Sequence, residues 1–153
     1  MEIPGLGPVE EEEYGGYRSE PIPVSLFENE VEFTVDGYDD DPRPEDFHAA
    51  IEAFLALDRS ALDAASGLAF EYYKVYSELI DEDAVPVIAG PEEVWDHVTF
   101  GVEGVVRRDQ HGDNEVCVLL MSGCDWEPEH GLQMVFRRGS VLSRVSECDG
   151  HMS

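Results

Sequence analysis

The apolar residues of this chain change their spacing twice, and that change sets the class of fold it can adopt. Ile22, Val24 and Leu26 alternate with other residues, Asn29 marks a turn, and Val31, Phe33 and Val35 alternate again. This is the period-two pattern of a β-hairpin with one buried face. From Phe47 the period lengthens: Phe47, Ile51, Phe54 and Leu55 recur at helical spacing, and Pro44 suits a first helical turn. A second stripe, Leu62, Ala65, Ala69, Tyr72, Tyr76 and Leu79, predicts a second helix. Ser60 and Asp63 stand at capping-box positions, and Gly67 marks a kink or a split. Acidic residues 81–83 end that helix, and Pro86 and Pro91 bound an irregular stretch before one helical turn at 92–97. Alternation returns in the last third, with candidate strands at 98–107, 115–121, 132–137 and 141–145, joined by turns at 109–114 and 138–140. The expected fold is α+β: an N-terminal β-hairpin, a helical pair, then a C-terminal antiparallel β-meander of about four strands. Residues 1–20, rich in Gly, Pro and Glu and without periodicity, read as a flexible acidic arm, leaving 21–153 as a single domain.

Charge narrows the function classes. The 153 residues carry 35 Asp and Glu against 9 Lys and Arg, a net charge of −26, yet 42% are hydrophobic, enough to build a core. Nucleic acid needs a basic footprint and an anionic membrane surface attracts cations, so both are excluded as partners. No apolar run approaches the roughly 20 residues of a membrane-spanning helix. The acidic opening, with Glu10 to Glu13, is the opposite of a secretory leader, so a cytoplasmic location is expected. Residues 1–98 hold 26 acidic and 4 basic side chains, a net of −22, so they would do any steering of a partner. Lys74 is the only lysine beside eight arginines, a bias that fits either a GC-rich genome or a surface adapted to high salt.

Three cysteines, Cys117, Cys124 and Cys148, form no disulfide framework and read as free thiols, with Cys117 a small buried hydrophobe. The acidic loop Asp36 to Asp41 lacks the spacing of an EF-hand and reads as solvated. The densest polar segment, Cys124-Asp125-Trp126-Glu127-Pro128-Glu129-His130-Gly131, lies between two strands, and Cys148-Asp149-Gly150-His151 follows the last one. A tight hairpin of the last two strands would return their outer ends to one edge. That gathers Trp126, Glu129, His130, Asp149 and His151 into a binding or structural polar cluster, with Trp126 plugging the core. Two alternatives use the same region. Cys124, His130, Cys148 and His151 offer two thiolates and two imidazoles to a tetrahedral zinc ion, at a spacing that is not a standard pairing. A small hydrolase-like enzyme could instead draw on Cys124, His130 and Asp149. There is no Gly-rich phosphate loop, G-x-S-x-G elbow or H-E-x-x-H, so no catalytic residue, metal or cofactor is assigned.

The stretch from Cys124 to Gly139, with Asp149-Gly150-His151 beyond it, resembles a family of uncharacterised bacterial proteins. Its members combine a W-x-x-E-H-G element, an apolar strand ending in Phe and Gly, and a terminal D-G-H. Val94-Trp95-Asp96 before an apolar strand is similar to the family's middle portion. The resemblance covers 21–153 and leaves out the acidic arm. It implies one small α+β domain, singles out Trp126, Glu129, His130, Asp149 and His151, and implies an antitoxin-like or immunity protein. The expectation is a non-enzymatic binding protein with a basic protein as partner.

Overall fold

The computed structural model describes residues 1–13, 15–26, 29–79, 87–110 and 112–148. Their core is a mixed sheet with two helices on one face. The strands are β1 (Glu2–Ile3), β2 (Gly7–Glu11), β3 (Tyr17–Ser19), β4 (Ile22–Val24), β5 (Asn29–Val31), β6 (Phe33–Val35), β7 (Val98–Arg108), β8 (Val116–Cys124), β9 (Leu132–Arg137) and β10 (Val141–Ser146). Helices α1 (Pro44–Leu55) and α2 (Ser60–Leu79) and a short 3₁₀ helix (Pro91–His97) stand between β6 and β7. Among the described residues, eight strands form one sheet in the order β1-β2-β3-β6-β7-β8-β9-β10, and β4 and β5 pair separately. The fold is α+β. No described helix is long and apolar enough to cross a membrane.

The C-terminal meander matches the sequence pattern, with β7, β8, β9 and β10 antiparallel in succession. β8 is buried on both faces, as is most of β9. Val116, Val118 and Leu120 face the helices, while Cys117 and Leu119 join Val105 and Val135 on the opposite side. A continuous apolar run rather than strict alternation is what burial on both faces demands. α1 lays Phe47, Ala50, Ile51 and Phe54 on the sheet, and the Phe54 ring meets Phe33 and Phe136 edge-on at 5.9 and 5.3 Å. The turn between β9 and β10 packs against α1: Gly139 has φ +83°, and a Cβ there would stand 1.9 Å from the Ala50 carbonyl oxygen. Only glycine fits.

Four expectations change. Residues 1–20 are not an arm. They supply β1, β2 and β3, with Ile3, Leu6, Val9 and Ser19 buried. The three apolar residues are three apart because the chain turns between β1 and β2, which hides any period of two. The Ser19 hydroxyl accepts the Phe33 amide at 3.0 Å, fastening β3 to β6. The hairpin is shorter than the alternation implied: β4 pairs with β5, but Phe33–Val35 departs to lie between β3 and β7. Its pairing with β7 is parallel, which requires a long crossover, here both helices. α2 runs unbroken through Gly67. Its N-terminus is held by Asp58, whose carboxylate accepts the Ser60 amide at 2.9 Å and the Ser60 hydroxyl, in place of a Ser60–Asp63 box.

Candidate functional site

The polar segment between β8 and β9 is a tight loop, 125–131, at one end of the sheet. Three anchors hold it. At its start the Asp125 amide donates to the His97 carbonyl at 2.9 Å, and the Asp125 carboxylate lies 3.0 Å from His97 Nδ1. In its middle Trp126 is 1% exposed and meets Tyr72 and Tyr73 of α2 edge-on at 5.6 and 5.8 Å. At its end the Tyr72 hydroxyl donates to the Gly131 carbonyl at 2.9 Å. Gly131 has φ +72°, and a Cβ there would lie 2.4 Å from the Ser122 carbonyl oxygen, so the glycine after His130 is sterically required.

Glu127 is the hub. It is 4% exposed, an expensive place for a carboxylate unless hydrogen bonds compensate. Its Oε1 accepts the amides of Glu129 and His130 at 3.1 and 3.3 Å, and its Oε2 lies 2.8 Å from His130 Nδ1. Burial pushes the Glu127 carboxyl up, but His130 and the two amides outweigh it and hold it below the ordinary range. His130 is raised, first by its bond to Glu127 and then by that residue's charge. Its imidazole is 55% exposed, and Glu147, just past β10, approaches Nδ1 to 4.0 Å. Burial pushes the Cys124 thiol up to about 12, and its Sγ lies 3.7 Å from the Glu127 carbonyl oxygen.

Of the residues singled out by sequence, Trp126 sits in the core, Glu129 is exposed on the loop, and His130 caps Glu127. Asp149 and His151 lie outside the described residues, so the zinc set Cys124, His130, Cys148 and His151 and the trio Cys124, His130 and Asp149 are each met only in part. Among the described residues, the ligand atoms that do converge are those of Glu127, Glu129 and His130, all within 4.8 Å of one another. Both oxygens of Glu127 and Nδ1 of His130 are already spent on each other and on loop amides. Sequence reasoning passed over Glu127. Its signal is the i, i+3 spacing of Glu127 and His130 inside a turn closed by glycine.

The opposite end of the sheet holds a second polar cluster that sequence reasoning missed. Arg108 donates from Nε and Nη2 to both oxygens of Asp41, from Nη2 also to Asp46 of α1, and from Nη1 to the Asn114 carbonyl. The side chains of Arg108 and Asp41 are 5% and 3% exposed, so Asp41 is not the solvated loop residue expected. Its carboxyl is held low by Arg108. Nearby Arg137 bridges Asp109 and Asp113 at 3.0 and 2.7 Å.

A family model for a domain of unknown function, DUF6985, matches residues 5–152. The chain belongs to the DUF6985 family. The match takes in β2 and β3, so these two strands, expected to belong to an arm, are part of the family domain. No curated protein and no solved structure matches the chain.

Proposed function

We propose that this DUF6985 protein is a non-enzymatic binding protein of the cytoplasm, of the immunity kind, whose partner is a basic protein. The observation that carries the reading is the surplus of carboxylates: nine Lys and Arg face 35 Asp and Glu. Two of those nine cations, Arg108 and Arg137, are engaged by Asp41, Asp46, Asp109 and Asp113 at one end of the sheet. Such a surface draws in a cationic partner and accelerates encounter. The buried groups at the loop end support binding over catalysis. Glu127 is satisfied by hydrogen bonds from its own loop, and burial raises the Cys124 thiol here, as it raises the Cys117 thiol at the opposite end of β8, which leaves both as poor nucleophiles.

Gene neighbourhood and salt dependence test this together. The reading expects an adjacent gene for a basic secreted protein, whose association rate with this chain falls steeply between low and physiological salt. A gene set among housekeeping functions, or an association rate indifferent to salt, overturns it.

A further inference from the structure

We propose that the 125–131 loop carries a proton-controlled latch, in which the His130 imidazolium, set between the carboxylates of Glu127 and Glu147, ties the loop to the end of β10. The two carboxylates come from different parts of the chain. Glu127 belongs to the loop, at 2.8 Å from Nδ1, and Glu147 follows β10, at 4.0 Å. The β9–β10 ladder ends at Gln133 and Ser146, so one ring spans the two segments that lie beyond it.

The groups facing His130 from the described elements explain why its proton matters. Its own loop contributes the carboxylates of Glu127 and Glu129. The end of β10 contributes Glu147 and the half-buried Cys148. From α2 come Tyr72 and Tyr76, both raised by burial and so neutral. From the end of β8 comes Cys124, raised likewise. The His97–Asp125 pair stands at the far side of the loop. His130 is thus flanked by the carboxylates of Glu127, Glu129 and Glu147, with the neutral Tyr72, Tyr76 and Cys124 beside them. Protonated, it attracts both Glu127 and Glu147. Neutral, it keeps an Nδ1–H for Glu127, but Glu147 then faces two like charges across the gap. The Tyr72 bond to Gly131 does not titrate in this range, so the loop stays docked on α2 while its hold on β10 relaxes. Because Glu127 raises His130 above its ordinary value, the change falls above about 6.5.

The latch does not depend on the proposed binding role. Its test is amide hydrogen exchange at Val145, Ser146 and residues 129–131 across pH 5.5–9, corrected for intrinsic rates, in chelator-treated protein. The His130 titration is followed by NMR in the same samples. Protection at these amides is expected to fall by about two- to fivefold, the range a partly exposed ion pair commands, as pH rises through the His130 midpoint. Glu147→Gln should lower that midpoint and flatten the step, and His130→Gln should remove it. Glu147 is exposed and makes no backbone bond to the loop, so this variant remains decisive if His130→Gln does not fold. Protection that stays flat through the titration, or a step unchanged by Glu147→Gln, overturns the latch.

Discussion

The two ends of the β7–β8–β9 block meet the same difficulty, a buried carboxylate, with different cations. At one end Asp41 is held by Arg108, which stays charged at every pH a protein survives. At the other, Glu127 is held by His130, whose charge comes and goes near neutrality. The arginine end also ties more of the chain together, since one guanidinium reaches the 36–43 loop, α1 and the turn after β7. The imidazole end is more local, one loop and the end of one strand. A fixed cation makes a permanent joint; a titrating one makes a joint that conditions can undo.

The largest expected effect is at the permanent joint. Arg108→Met leaves Asp41 buried without its partner and should cost about 3–5 kcal/mol, read from urea unfolding. Arg108→Lys should recover little of it, because a point charge cannot match the two-pronged contact with Asp41. Full recovery by lysine would mean that charge alone, not geometry, holds that end. Glu127→Gln should cost less, about 1–3 kcal/mol, and should bring the His130 titration back toward its ordinary range. A His130 midpoint left where it was would remove Glu127 as its cause.

The pH profile separates the ends further. Glu127 and Asp41 have lowered values, so their contributions are present above the ordinary carboxylate range and lost as pH falls through the folded values. His130 is raised, so its contribution is full below about 6.5 and lost as pH rises through its folded value. The stability difference between wild type and His130→Gln should therefore shrink on the alkaline side, while that between wild type and Arg108→Met stays level there. A level difference for both would make the two joints equivalent.

The smallest expected change is in how salt acts on the buried joint. Screening of the −26 charge should raise the melting temperature of wild type from dilute buffer to about molar salt, where the Debye length is roughly 3 Å. The gap between wild type and Arg108→Met should hardly move, since a buried pair is screened least. A wild-type curve that is flat or falls with salt would show carboxylates already well separated or paired.

The C-terminal meander was legible because each of its strands is long enough to show its own pattern, and each pairs with its neighbour in sequence. The N-terminal strands were not. β1 and β3 are two and three residues long, and what joins Tyr17–Ser19 to the main sheet is Phe33–Val35, which itself depends on the distant β7. At the loop, Trp126 and His130 could be singled out from a dense run of polar types between two strands. The burial of Glu127 was harder to read, because Glu-Pro-Glu-His offers two glutamates and only the i, i+3 spacing to His130 marks the one that turns inward. Asp41 was hidden for the same reason, as one of three consecutive aspartates of which only it meets Arg108.

The parallel contact of β6 with β7 also orders the birth of the molecule. Strands β1, β2 and β3 attach to the main sheet through β6, and β6 attaches through β7. On a ribosome the first third of the chain is made well before residues 98–108, and until they emerge it has no sheet to join. The meander can close through contacts near in sequence, and the N-terminal strands must then travel back across both helices, the slower kind of closure. While it waits, the nascent segment exposes Ile3, Leu6, Val9, Phe33 and Val35, and the dense carboxylates around them keep neighbouring chains apart.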